Sequence, residues 1–249
     1  MNADDQRRYE RHLALAQIGP EGQARLQAAR VTLVGCGGLG SAQAELLVRA
    51  GVGAVRLIDR DVVELSNLHR QILFDEEDAR RARPKVEAAA DRLTRINGAC
   101  RIDARHTRAD PETLPALVAG SDIVLDATDN AATRLAIDAA CRAARIPWIF
   151  GGVTATSGLV VPRPLGSPCL RCLFGEPPAP RDEAQAIRTK GTLASAVLVV
   201  AALQATAAMK FLVGSALAHE LIALDVWDMS QRRIALSNEP RTGCACVAR

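Results

Sequence analysis

The sequence predicts an α/β fold in which helices cover a doubly wound, mostly parallel sheet. Three observations carry that expectation. Apolar strand-like runs alternate with helix-like segments from residue 31 to residue 150. The first run, Val31–Val34, breaks into a glycine-rich turn, Gly35-Cys36-Gly37-Gly38-Leu39-Gly40. The chain is 49% hydrophobic but only 3% aromatic, so its core is built from Ala, Val, Leu and Ile, as suits helices packed on buried parallel strands.

Taken in order, the segment from Arg8 to Leu26 reads as amphipathic helix interrupted at Gly19-Pro20. Val31–Val34 is a strand, and a helix is expected over Ser41–Ala50, stopped by Gly51. Val55–Ile58 is the second strand, and Pro84–Ile96 a helix closed by Asn97-Gly98. Ile123–Leu125 is a strand, Ala131–Ala144 a helix and Pro147–Phe150 a strand. This βαβ rhythm implies parallel strands joined by crossovers. It changes after Gly151-Gly152, where 153–164 alternates and is broken by prolines. The stretch Pro177-Pro-Ala-Pro180 with Arg181-Asp-Glu183 reads as a mobile loop. Leu221–Trp227 and Arg232–Ser237 read as two strands around a turn at Asp228-Met229-Ser230. The organisation is one domain over 1–249: a helical segment at 1–30, a nucleotide-binding core at 31–152 and a later portion at 153–249.

Composition removes several classes of function. The net charge of +3, with no basic run interleaved with aromatics, argues against a nucleic-acid partner. The polar opening Met1–Arg8 has no apolar run of the secretory type, so the chain is expected in the cytoplasm. The uncharged stretch Gly191–Met209 is long enough to span a bilayer. It contains Thr192, Ser195, Gln204 and Thr206 and is mostly Ala and Val, so it is read as a buried helix and no membrane is expected.

The glycine turn after a buried strand aims backbone N–H groups and a helix N-terminus at a phosphate. Asp59 ends the next strand about twenty residues on, where a carboxylate meets ribose hydroxyls. Both features suit a dinucleotide as well as ATP, so an NAD-dependent oxidoreductase stands as an alternative. Arg70, Gln71 and Lys85 favour ATP, because cleavage between the α- and β-phosphates builds negative charge that cationic donors must neutralise. Asp126-Ala-Thr-Asp129-Asn130 follows a strand end, where open sheets bind ligands. Asp129 suits Mg²⁺ held between carboxylate and phosphates. Asp129 or Asn130 also suits the N-cap of the helix that follows.

The seven cysteines are odd in number, which argues against a disulfide framework. Cys169-Leu-Arg-Cys172 and Cys244-Ala-Cys246 form two close pairs far apart in the chain, the pattern of a tetrahedral structural zinc site. The second pair is one residue tighter than the usual loop. A four-thiolate zinc would tie the tail to the segment after the sheet. The fold expected is therefore Rossmann-like, with N-terminal helices and a C-terminal antiparallel extension tied by a zinc site.

Together these residues resemble a known family. Arg8-Tyr-Glu-Arg11, Gly35–Gly40, Asp59-Arg-Asp61, Ser66-Asn-Leu-His-Arg-Gln71, Pro84-Lys85, Asp126–Asn130 and Cys169–Cys172 stand in the order found in the ThiF/MoeB/HesA family. These are bacterial relatives of the ubiquitin-activating enzymes. The resemblance implies an adenylyltransferase that uses ATP to adenylate the C-terminal glycine carboxylate of a small ubiquitin-like sulfur carrier protein ending in Gly-Gly. It implies that Gly38, Asp59, Asp61, Ser66, Asn67, Leu68, His69, Arg70, Gln71, Lys85, Asp129 and Asn130 form the nucleotide site, with Asp129 holding Mg²⁺. It also implies a homodimer in which Arg11 reaches the partner's active site, so that Arg11, Arg70, Lys85 and Asp129 form the catalytic set.

One departure bears on mechanism. Many members of the family carry a cysteine in the loop before the long apolar helix, and here 175–192, around Arg188-Thr-Lys190, has none. Arginine cannot replace a thiolate as nucleophile. The expected product is therefore the acyl-adenylate, with a separate sulfur donor such as a rhodanese or cysteine desulfurase acting next. Adenylation of a peptide C-terminus in natural-product biosynthesis is a further alternative within the same chemistry.

Overall fold

A computed structural model describes residues 2–176, 191–244 and 246. The expected mobile loop at 177–183 and the segment 188–190 lie outside the described residues.

Among the described residues the strands are β1 (Arg30–Val34), β2 (Ala54–Asp59), β3 (Arg101–His106), β4 (Ile123–Asp126), β5 (Trp148–Thr154), β6 (Ser157–Arg163), β7 (Glu220–Asp225) and β8 (Ser230–Ala235). They form one sheet in the order β3-β2-β1-β4-β5-β6-β7-β8. Pairings from β3 to β5 are parallel, and those from β5 to β8 are antiparallel. The doubly wound core and its antiparallel extension are both present. Strands β1 and β4 are apolar almost throughout because both sheet faces are covered there. Val31 and Leu33 face one core, and Val34 faces the other.

The helices follow the expected order with shifted edges. Helices α1 (Ala3–Arg8), α2 (Glu10–Leu13) and α3 (Gly19–Ala28) form the N-terminal segment, and Gly19-Pro20 opens the third of them. Helix α4 (Gly38–Arg49) begins three residues earlier than expected, so the glycine turn is itself its first turn. Helix α5 is Glu76–Arg80, and α6 (Lys85–Ile96) starts directly after Pro84. Asn97 does not close α6 in a left-handed conformation, since its φ is −150°. Its buried amide instead donates to Tyr9 Oη at 2.9 Å and to the Val48 carbonyl at 3.0 Å, pinning the N-terminal segment to α4. Helices α7 (Leu114–Val118), α8 (Ala131–Ala144) and α9 (Leu170–Phe174) follow, the first two separated by β4.

The long apolar helix is α10 (Ala194–Leu212), long and apolar enough to cross a membrane. Here it packs along α4, β5 and β6. Ala196, Val197, Val200, Ala201, Gln204, Ala205 and Ala208 are buried, while Leu198 and Val199 are exposed. It is thus half-buried rather than wholly buried, because it covers one side of the sheet and only its inner face meets protein.

Candidate active site

The strand order reverses between β1 and β4, and ligands of open α/β sheets bind at that switch point, beyond the carboxyl ends of the strands. A cavity of about 1520 Å³ opens there. Gly35 leaves β1 with φ +98°, where an added Cβ would lie 2.6 Å from the Ala127 carbonyl oxygen. Only glycine lets the two strand-end loops meet so closely. Because α4 starts at Gly38, the amides of its first turn lack intrahelical partners. They face the cavity that Gly37, Gly38 and Leu39 line, which makes an anion cradle.

Asp59, at the end of β2, is locked to this cradle. Its Oδ2 accepts the Cys36 N–H at 2.7 Å and its Oδ1 the Asp61 N–H at 2.8 Å. Each oxygen keeps a lone pair for a hydroxyl group. Asp61 holds Lys85 at the head of α6, and the Lys85 side chain is buried against it. Leu65–Asn67 is a single 3₁₀ turn capped by Glu64. It delivers Asn67, Arg70 and Gln71 to the cavity wall. Arg70 Nη1 donates to the Ser66 carbonyl at 3.0 Å and lies 2.9 Å from His69 Nε2. Gln71 is buried, and its Oε1 has no partner among the described residues.

The loop after β4 separates two similar carboxylates. Asp126 is 0% exposed. Its Oδ1 accepts from the Thr128 N–H and hydroxyl, and its Oδ2 accepts from Arg134 Nε at 3.1 Å. Burial pushes its carboxyl up, opposed by Arg134 and Thr128. Asp129 is exposed and lines the cavity. The helix cap is Asn130, whose Oδ1 accepts the Thr133 N–H at 2.9 Å, so Asp129 is free of that task. Asp129 Oδ1 accepts a long bond from Asn130 Nδ2 at 3.4 Å, and an exposed carboxylate next to an anion cradle is the donor that Mg²⁺ takes between protein and phosphate.

Of the residues singled out in the sequence, Gly38, Asp59, Asp61, Asn67, Arg70, Gln71, Lys85, Asp129 and Asn130 line one cavity. Ser66, Leu68 and His69 stand behind that wall: Ser66 and His69 brace Arg70, and Leu68 packs on the core. Arg11 lies exposed on α2, away from the cavity. Sequence reasoning missed Arg134. Besides Asp126 it donates to the carbonyls of Thr128 and Gly151 at 2.8 and 3.1 Å, and it lies 4.8 Å from the Phe150 ring centroid. It missed Gln204 as well. From inside the apolar α10, Gln204 donates to the carbonyls of Asp126 and Ile149 and accepts from Gln43. A lone glutamine in an apolar helix was the available signal. The cavity's far wall, with Thr154, Ser157, Leu159, Leu224 and Arg232, comes from the antiparallel strands.

The four cysteines of the two close pairs converge, all Sγ atoms lying within 4.8 Å of one another. Cys169–Cys172, Cys169–Cys244 and Cys172–Cys246 are 3.8, 3.5 and 3.6 Å apart. Tetrahedral zinc with bonds of about 2.3 Å sets sulfurs roughly 3.8 Å apart, so the cluster fits zinc and the tight second pair does not prevent it. Cys36, Cys100 and Cys141 are buried, and burial pushes their thiols up, Cys100 to about 11.

The chain also resembles known proteins in sequence and fold. A sequence profile described as the ThiF family matches residues 9–246. The chain is 37% identical to the sulfur carrier protein ThiS adenylyltransferase of Bacillus subtilis, covering 95% of this chain and 70% of that protein. It is 37% identical to the SAMP-activating enzyme E1 of Haloferax volcanii, covering 94% and 86%. It is 38% identical to the molybdopterin-synthase adenylyltransferase of Escherichia coli, covering 95% and 94%. Among solved structures, Escherichia coli MccB with MccA-N7isoASN superposes with a TM-score of 0.82 at 23% identity, covering 100% of this chain and 76% of that one. At that identity the likeness shows the fold alone.

Proposed function

The chain belongs to the ThiF family, and from that premise we propose that it uses ATP to adenylate the C-terminal glycine carboxylate of a ubiquitin-like sulfur carrier protein ending in Gly-Gly, releasing pyrophosphate. One observation carries this reading: the helix-start cradle, Arg70, Lys85 and the exposed Asp129 line the same cavity. Sites for small ligands run to about 1,000 Å³. This cavity is larger, which leaves room for a peptide tail beside the nucleotide. An NAD-dependent oxidoreductase would leave Arg70, Lys85 and the cysteine cluster without a task.

The roles follow from position. The first-turn amides of α4 take phosphate oxygens, and Asp59 takes ribose hydroxyls. A carboxylate oxygen of the carrier attacks the α-phosphorus. The bond to the bridging oxygen breaks and pyrophosphate leaves with the electron pair. Lys85 and Arg70 neutralise the charge that develops. Mg²⁺ held by Asp129 would supply further charge neutralisation. Arg11, exposed and outside its own cavity, is proposed to serve the cavity of a second copy in a homodimer. The buried, high-pKa thiols of Cys36, Cys100 and Cys141 make poor nucleophiles. The reaction is therefore proposed to stop at the acyl-adenylate, leaving sulfur delivery to a rhodanese or cysteine desulfurase, in the cytoplasm.

The test is pyrophosphate–ATP exchange with Mg²⁺ and a panel of carriers ending in Gly-Gly, with Arg70→Ala as control. Exchange that needs one carrier and vanishes in the variant supports the reading. ATP binding without exchange on any carrier would overturn the substrate assignment.

A further inference from the structure

Arg163 ends β6 inside the protein, 2% exposed. It pairs with Trp148 at the start of β5, remote from the strand ends that form the cavity. A guanidinium carries five N–H donors, and this one leaves most of them idle. Nη1 meets His219 Nε2 at 3.0 Å, while Nε and Nη2 have no partner among the described residues. His219 Nδ1 lies 2.7 Å from Asn238 Oδ1. That bond puts the imidazole proton on Nδ1 and leaves Nε2 to accept from Arg163.

The surrounding charge does not balance as the side chains stand. Asp138 faces Arg163, but its Oδ2 already accepts the Leu170 N–H at 3.1 Å. A second cation, Arg142, shares the cluster and donates to the carbonyls of Ser167 and Cys246 at 2.6 and 3.5 Å. Cys169 and Cys172 also lie within range of Arg163's charge. Four neutral thiols offer such a cation little. Four thiolates around one Zn²⁺ carry a net charge of about −2, which two arginines beside Asp138 offset in large part.

We propose that Arg163, assisted by Arg142, is an outer-shell cation of a four-thiolate zinc site, offsetting its excess negative charge and donating its spare N–H groups to the ligand sulfurs. The inference rests on the zinc reading of the cysteine cluster and is independent of the adenylation reading. Arg163 is a positioning residue: it acts on the metal through the sulfurs.

The experiment measures metal affinity of the full chain by chelator competition with Zn²⁺ and Co²⁺, and the pH at which half of the metal is released. Wild type, Arg163→Met and Arg163→Lys are compared. The wild type is expected to hold one metal per chain. Arg163→Met should bind about 10- to 100-fold more weakly. It should also release metal at higher pH, because protons compete for thiolates that have lost their cation. Arg163→Lys should recover part of both, and the thiolate-to-cobalt charge-transfer band should shift in Arg163→Met. Unchanged affinity and release pH in a folded Arg163→Met would overturn the proposal. If that variant does not fold, Arg142→Met carries the test, with the same direction expected and unchanged affinity overturning it. A wild type that takes up neither metal overturns this proposal and the zinc reading together, and leaves pyrophosphate exchange as a separate measurement.

Discussion

Lys85 is held at both ends by Asp61. Its backbone N–H donates to the Asp61 carbonyl at 3.0 Å, and its ammonium lies 3.2 Å from Asp61 Oδ2. The first bond fixes where α6 starts, and the second aims the charge along the cavity wall. Lys85→Met should lower kcat/KM for pyrophosphate exchange by about 10²–10³, the effect of removing one preorganised charge stabiliser. Asp61→Asn keeps the backbone bond and should cost far less. Steady-state exchange assays on the two variants check the order, and equal losses would place the role in Asp61.

The two carboxylates of the β4 loop should separate stability from activity. Arg134→Met leaves the Asp126 charge buried without its cation, a change that costs about 3–5 kcal/mol. Urea denaturation should show that loss. Asp129→Asn touches no buried pair, so its unfolding midpoint should stay near wild type while Mg²⁺-dependent exchange collapses.

Removing the metal should affect the tail more than the nucleotide half. The cysteine cluster joins α9 to the chain end, and none of its members lines the cavity. A strong chelator should lower the Tm and expose the last residues to protease. ATP binding, followed by fluorescence of a nucleotide analogue, should survive.

Asp225 makes the antiparallel extension sensitive to acid. Its carboxylate accepts from Ser157 and Thr156 hydroxyls and from the amides of Trp227 and Asp228. These bonds, Ser157's first, hold it below the usual carboxylate range. A depressed folded pKa gives a contribution fully present above the unfolded value of about 3.9 and lost as pH falls through the folded value. Hydrogen exchange of β7 and β8 amides should therefore quicken on acidification below that range while β1 and β4 stay protected. Asp225→Asn should remove the pH dependence.

Legibility in the sequence followed the range of the interactions. Val31–Val34 and Ile123–Leu125 are apolar because two helical layers cover them, and that shows locally. The glycine turn, Asp59, Lys85 and Asp129 were readable because each sits at a strand end or helix start marked by its neighbours. β3 was not, since Arg101-Ile-Asp-Ala-Arg-His106 is a largely polar edge strand without the central strands' apolar run. Arg134 and Gln204 act through carbonyls that pairing brings near, Gly151 and Ile149 among them. Their spacing along the chain carries no sign of it. The Cys244-Ala-Cys246 pair is one residue tighter than the usual loop, and the sulfur positions still accommodate zinc.

The pairings of the sheet differ in how far apart in the chain their partners lie. In the extension, Thr154 pairs with Ser157 and Asp225 with Ser230 across hairpins, but Ser157 must also find Asp225. In the nucleotide half, Val31 must find Ile123. Long-range pairing forms slowly because loop closure comes before any gain. On that ground the two hairpins are expected to assemble before the cradle between β1 and β4 closes. A nucleotide that binds only the closed cradle would draw the last step of folding forward, so the proposed ATP substrate would also act as a folding ligand.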